Sequence, residues 1–289
     1  MTPYAHYTAR ALPQRYPFAD TALARDVFVR LRRTFPDALA VVLMPDHLHM
    51  VAPDRGERSA HIVGKLLATS TRASGRWAGC WQPVEPPEAV TTADKLQRAV
   101  RYAWLNPCRP WFYRGHRTQL VDDPLAWSWS TLRDSIGAIA DPWVPAERLA
   151  VAFGWPKGAD LPERLHRYAC LDDHVAPDAR SFPRLEPPRS APTSTVDEVL
   201  HAALATTRLP APAQRQRTAA RRIANGLCYR QGWRIPTQLA PIFGVHPHTV
   251  SRIAAAASNG ELEAAALCLD RRLRVDPDTN LRHAHVDAA

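Results

Sequence analysis

The stretch that most constrains this chain runs from Val41 to Val51 and reads Val-Val-Leu-Met-Pro-Asp-His-Leu-His-Met-Val. An apolar run of strand length meets a Pro-Asp pair, which turns the chain, and a second strand then carries histidines at i and i+2. Side chains alternate across a strand, so His47 and His49 share one face while Leu48 and Met50 point to the other. Two neutral imidazoles held side by side on rigid backbone are the beginning of a divalent-metal site. The same spacing also occurs as an ordinary structural pair, and the pattern alone leaves both readings open.

The surrounding sequence predicts a sheet with helical crossovers. His6 to Arg10 reads as a short edge strand. Asp20 or Thr21 caps a helix in which Leu23, Val27, Phe28 and Leu31 recur at helical spacing until Pro36. Ala38 to Met44 is then a buried strand. Ser59 opens a second helix with Ile62, Val63, Leu66 and Leu67 as its stripe. A third runs from Thr91 to Leu105, started by Thr92 and stopped at Asn106-Pro107 because proline disfavours helical geometry in the residue before it. Tyr102 and Asn106 are four apart, so both project from one face of its last turn. They read either as reactive groups beside the histidines or as a packing tyrosine and a helix C-cap.

Charge narrows the partner. Lys and Arg number 37 against 28 Asp and Glu, a formal net charge of +9 dominated by arginine. Guanidinium forks match phosphate oxygens, so a polyanion is the expected partner. The cysteines at 80, 108, 170, 228 and 268 form no Cys-x-x-Cys pair, which argues against both a disulfide framework and a structural zinc site. Without a secretory start or an apolar run of about 18 residues, the expectation is a reduced, cytoplasmic, nucleoid-associated protein with no membrane partner.

Three blocks bring a resemblance. Pro45-Asp46-His47-Leu48-His49 is followed some fifty residues on by Arg101-Tyr102-Ala103-Trp104-Leu105-Asn106-Pro107-Cys108-Arg109, and then by Asp123-Pro124-Leu125-Ala126-Trp127-Ser128-Trp129-Ser130-Thr131. Together, over roughly residues 4 to 135, they resemble the single-tyrosine HUH transposase family, and most of all its REP-associated tyrosine transposase branch. The resemblance implies an α+β fold: a ferredoxin-like antiparallel sheet with helices on one face. It implies that His47 and His49, with Asn106 at the position of a third ligand, hold Mg2+ or Mn2+. It further implies that Tyr102 attacks a DNA phosphate, leaving a 5'-phosphotyrosine and a free 3'-hydroxyl. Single-stranded or hairpin DNA is the expected substrate, and the protein a monomer or homodimer. Arg101, Arg109, Arg114 and Arg117 are candidate phosphate contacts, and Trp104, Trp111, Phe112 and Trp127 candidate stacking residues, Trp127 also reading as core.

Beyond residue 140 the chain is rich in proline and tryptophan, with one helix expected from Pro162 to Leu171 and a stiff linker from Ser181 to Pro192. Helices follow at Val196 to Thr206 and Gln214 to Gln231. Ile235 to Ile253 resembles a helix-turn-helix of the DnaA-type tail, with Gly244 at the turn and His246, His248, Thr249, Ser251 and Arg252 offered to duplex DNA. The expected division is residues 1–140 as the HUH domain, 141–194 as extension and linker, 195–275 as an all-α DNA-binding domain and 276–289 as a polar tail. Two rivals to the transposase-nickase reading stay open: a catalytically silent DNA-binding regulator derived from a transposase, and a metal-dependent phosphodiesterase that uses water.

Overall fold

The computed structural model describes residues 3–113, 116–139, 142–185, 196–207, 213–230 and 236–270. Arg114, most of the expected linker and the 276–289 tail lie outside them. The chain divides into two compact units, with the division after Leu185.

In the first unit, β1 (Tyr4–Arg10), α1 (Thr21–Thr34), β2 (Ala40–Leu43), β3 (His47–Pro53), α2 (Glu57–Ser74) and β4 (Glu88–Val90) follow in a βαββαβ order. The four strands form an antiparallel sheet in the order β2-β3-β1-β4. Asp20 starts α1 by accepting from the N–H groups of Ala22 and Leu23 at 3.0 and 3.2 Å, satisfying donors the first turn leaves open. The expected stripe of Leu23, Val27, Phe28 and Leu31 is buried. Between β2 and β3 the backbones of Met44 and His47 bond each other, Met44 N–H to His47 O at 2.8 Å and the reverse at 3.4 Å. Pro45 and Asp46 are therefore a two-residue hairpin turn.

Two expectations about this sheet change. β1 is an interior strand, paired with β3 along its whole length and with β4 from Tyr4 to His6. Its alternation of polar and apolar residues is that of a half-solvated edge strand, but its polar side faces a groove within the unit. Helices also meet both faces. α1 and α2 pack together, with α2 against β1. Phe35, at the end of α1, reaches the Tyr7 ring at 6.2 Å on the face that also carries Leu48 and Met50. α3 (Ala93–Leu105) lies over the histidine face, its Tyr102 ring 5.3 Å from that of His49. β2 and β3 are buried on both sides, so each face needs a cover.

A small hairpin, β5 (Trp111–Tyr113) and β6 (His116–Thr118), follows α3, and α4 (Leu132–Ser135) closes the segment. The stretch from Pro142 to Leu185 is built into this same unit. Its helices α5 (Ala146–Phe153) and α6 (Leu161–Cys170) pack on α3. Trp143 is buried and donates its indole N–H to Phe35 O at 3.0 Å, and the Arg148 guanidinium reaches Pro36 O at 2.6 Å. Proline frequency suggested an extension, but the buried Trp143, Leu149, Phe153 and Leu165 make it core.

The second unit is helical: α7 (Val196–Thr206), α8 (Ala213–Arg230), α9 (Pro236–Phe243), α10 (Pro247–Ala255) and α11 (Asn259–Asp270). Val199, Ile223, Leu227, Leu239, Phe243, Val250 and Leu262 form its core. Gly226 lets α8 approach closely, since a Cβ there would lie 2.7 Å from Leu262 Cδ2 and 3.2 Å from Ala254 O. Gly244, at φ +62°, makes the left-handed turn between α9 and α10 that a side chain disfavours. No helix among the described residues is long and apolar enough to cross a membrane.

Candidate active site

The pairing register assembles one polar face. Opposite residues of antiparallel strands share a face, and Arg10 lies opposite His47, Thr8 opposite His49, and His6 opposite Glu88 of β4. β1 therefore adds His6, Thr8 and Arg10 to the two histidines of β3. Strand alternation signals this, because His6, Thr8 and Arg10 are spaced by two; without the register there was no reason to connect them to His47 and His49.

His47 and His49 are only 3 % and 2 % exposed, so every ring nitrogen needs a partner. His47 Nδ1 lies 2.5 Å from Asp46 Oδ1, and its Nε2 faces Asn106 Oδ1 at 3.3 Å. His49 Nδ1 lies 3.0 Å from His6 Nε2 and 3.4 Å from Thr8 Oγ1. His49 Nε2 is buried with no partner, as is Asn106 Nδ2. We assign the His47 proton to Nδ1, where the Asp46 carboxylate accepts it; Nε2 then presents a lone pair to the amide. Two lone pairs facing across this gap are satisfied by a cation between them, or by a turned amide that donates its N–H to the ring.

Burial keeps the His49 imidazole in the neutral form that can act as a ligand. Burial pushes the His49 pKa well below the ordinary value, and neighbouring His47, His6 and Arg10 push the same way. Burial lowers His6 too, with the Glu88 carboxylate opposing. Among the described residues no three His, Cys, Asp or Glu side chains gather as a metal cluster. The donor set in question is two imidazoles and an amide oxygen. The orphaned His49 Nε2 and the facing His47 Nε2 and Asn106 Oδ1 fit a divalent ion, since adjacent ligands on an octahedral ion with bonds of about 2.1 Å sit about 3 Å apart. Asp46 and His6 stand behind the two rings as orienting partners do at metal sites.

Tyr102 stands at the rim, 40 % exposed. Its ring lies 5.3 Å from His49 and 6.0 Å from His6, and the Arg109 guanidinium sits 4.9 Å over it. Asn106 caps α3 with its backbone and turns its side chain toward His47. A groove of about 480 Å³ opens beside Tyr102 and His49, lined also by His6, Thr8, Arg10, Glu88, Lys95 and Arg98.

The arginines distribute differently from expectation. Arg109 donates to Asp172 Oδ2 at 3.3 Å, and Arg101 lies 3.9 Å from the same carboxylate and 5.5 Å over the Tyr168 ring. Burial alone would raise the Asp172 pKa; the His174 N–H and Arg109 outweigh it and lower the value. Both arginines thus serve an internal acid. Arg117 is exposed on β6. Trp104 is fully buried with its indole N–H 3.4 Å from Thr131 Oγ1, and Trp127 donates to Leu43 O at 2.9 Å, so neither ring is open to a base. Trp111 is half-buried, its ring 6.5 Å from His47, and the Phe112 side chain lies outside the described set.

In the second unit, His246 caps α10, its Nδ1 accepting from His248 N–H at 3.4 Å, with the two rings stacked at 5.1 Å. Ser251 Oγ lies 2.9 Å from Tyr229 Oη, Arg252 is exposed, and Thr249 is half-buried.

No protein-family profile and no curated protein sequence matches this chain. A solved structure of a REP-associated tyrosine transposase bound to a REP hairpin is similar at 20 % identity, covering 47 % of this chain and 80 % of that one, with a TM-score of 0.38. The functional reading rests on the geometry of the site itself.

Proposed function

We propose that this protein is a metal-dependent DNA nickase and strand transferase of the transposase type, with Tyr102 as its nucleophile. The observation that carries the reading is convergence: residues 47, 49, 102 and 106 come from two separate segments, His47 facing Asn106 and His49 beside Tyr102, and His49 Nε2 is buried there without a partner. His47, His49 and Asn106 are the residues that would hold Mn2+ or Mg2+, and imidazole with a carbonyl oxygen suits Mn2+ well. A divalent ion bound there supplies Lewis-acid polarisation of a phosphoryl oxygen.

The chain's own residues do the rest. Tyr102 presents its hydroxyl at the open rim, and Arg109 stacked on the ring restricts its swing. The phenolic oxygen bonds to phosphorus as the bond to the 3' oxygen breaks. The phenol gives up its proton and the departing 3' oxygen gains one, leaving a 5'-phosphotyrosine and a 3'-hydroxyl. One phosphoester replaces another, so the step runs in reverse as rejoining, which suits strand transfer better than degradation.

The βαββαβ order with strands β2-β3-β1-β4 supports a ferredoxin-like assignment for the sheet, and α9, the Gly244 turn and α10 support a helix-turn-helix in the second unit. Exposed Arg252 and His248 on α10 would then face duplex DNA, and single-stranded or hairpin DNA would occupy the groove. The test is a denaturing gel of the full chain with labelled single-stranded hairpin DNAs in Mn2+ or Mg2+. A shifted covalent band in wild type, absent in Tyr102→Phe, is expected; a band retained by Tyr102→Phe sinks the nucleophile assignment.

A further inference from the structure

We propose that the groove between β1, β4 and α3 is a nucleotide-binding pocket, in which Arg10 and Lys95 hold phosphates and Glu88 reads the amino edge of one base. The inference rests on the DNA-processing reading and names the residues that contact the strand beside the scissile phosphate.

The groove has the scale of a small-ligand pocket, about 480 Å³. Its walls are set by the register. His6, Thr8 and Arg10 line it from alternate positions of β1, Glu88 and Ala89 from β4, and Lys95, Arg98, Ala99 and Tyr102 from one face of α3. β4 pairs with β1 only from Tyr4 to His6, and the next pairing on that side is Ala11 with Trp81. The side of the sheet beside Thr8 is thereby left open to a ligand.

Charge decides the ligand. Arg98 is tied to Asp94 one helical turn away, and Arg101 and Arg109 to Asp172. No ion pair joins Arg10 or Lys95 to a carboxylate among the described residues. The groove thus holds two uncommitted cations near the nucleophile, and a chain of phosphates passing Tyr102 satisfies both.

Among the described residues that line the groove, Glu88 is the one carboxylate, exposed and opposite His6. A carboxylate repels phosphate, so its place in a phosphate groove calls for a donor. A base amino group is such a donor: cytosine N4 and adenine N6 carry one, and thymine shows only O4 there. The pocket is therefore expected to prefer cytosine or adenine to thymine.

The experiment is fluorescence anisotropy of labelled dC12, dA12 and dT12 with the full chain in EDTA, across a salt series. Wild type is expected to bind dC12 or dA12 about 10-fold more tightly than dT12, the worth of one hydrogen bond to a charged acceptor. Glu88→Gln, which can donate as well as accept, brings the two within about 2-fold. Arg10→Ala and Lys95→Ala each lower the slope of log affinity against log salt by about 0.7, one lost single-strand phosphate contact, and Lys95→Arg restores it. These side chains are exposed, and matching thermal melts establish that the variants fold. Equal binding of all three oligonucleotides by wild type, or a preference that survives Glu88→Gln, overturns base reading. An unchanged salt slope in both cation variants overturns the phosphate contacts. Because binding is read without metal, the two readings fail separately. A pocket with the expected preference but no covalent band in wild type sinks the nickase and keeps the pocket, and a covalent band with flat preference does the reverse.

Discussion

Asp46 is where the proposed metal site is tested with least damage to the fold. Its carboxylate lies 2.5 Å from His47 Nδ1, with the His47 side chain 4 % and the Asp46 side chain 29 % exposed. A hydrogen bond to a charged group contributes about 1.5–3 kcal/mol, and the open edge of Asp46 places it near the lower end. The bond holds the proton on Nδ1 and turns Nε2 toward Asn106, so losing it releases both tautomer and ring direction. Asp46→Ala should weaken Mn2+ binding about 10- to 30-fold, within the range typical of orienting partners. Asp46→Asn keeps an acceptor oxygen, loses the charge, and should cost about 3- to 10-fold. Asparagine also suits a two-residue turn, so the hairpin and the melting temperature of Asp46→Asn should stay near wild type. Calorimetric titration of Mn2+ into the full chain measures the effect, with His49→Ala expected to abolish binding. Wild-type affinity in a folded Asp46→Ala would show that His47 needs no such partner, and would remove the reason given for its ligand geometry.

Three further outcomes follow from packing and charge. Trp104→Ala empties a fully buried indole site and should cost about 3–5 kcal/mol in urea unfolding of the first unit; a stable variant with weakened DNA binding would instead make Trp104 a surface base-stacker. Burial pushes His166 down to about 4 and Asp123 up to about 6, and the two act oppositely on acid stability. His166, depressed on folding, contributes stability that is full above about 6.5 and lost as pH falls toward 4, while Asp123, raised on folding, contributes stability that is full below about 4 and lost as pH rises through 6. As pH falls from 7 to 5, the melting temperature should therefore climb relative to wild type for His166→Gln and drop relative to wild type for Asp123→Asn. In the second unit, Arg252→Ala should lower the salt slope of duplex binding by about 0.9 while leaving the Tyr102 adduct unchanged; an unaltered slope would take Arg252 off the phosphate backbone.

What the sequence disclosed follows from how local each signal is. The Pro45-Asp46 turn, the Asp20 and Thr92 caps and the buried stripe of α1 are decided by neighbours within a turn or two, and α7 spans Val196–Thr206 as its pattern predicts. Pairing partners are not local. β1 has the alternation of an edge strand, and only the order β2-β3-β1-β4 shows that its polar side faces the histidines. β4 is three residues long and sits in a proline-rich stretch with no strand signal. Arg101 and Arg109 read as free phosphate contacts because Asp172, which engages both, lies more than sixty residues later. Trp143 and Leu165 read as part of an extension for the same reason, since what buries them is distant in sequence.

The candidate site is therefore held by register as much as by motif. A one-residue slip of β1 against β3 would turn His6, Thr8 and Arg10 to the far face and bring Tyr7 and Ala9 toward His49. The slip is opposed from the other side of the sheet. Tyr7 is 1 % exposed there, against Phe35, with its hydroxyl 3.4 Å from Pro53 O. Moving it would place a large side chain in the groove and leave a void in the core, a cost of several kcal/mol on the scale of large-to-small substitutions. The apolar face of β1 thus fixes the polar one. The His-x-His pair places two imidazoles wherever β3 goes, but the partner of His49 Nδ1, the uncommitted cation Arg10 and the carboxylate of Glu88 arrive only because Tyr7 sets how β1 is seated.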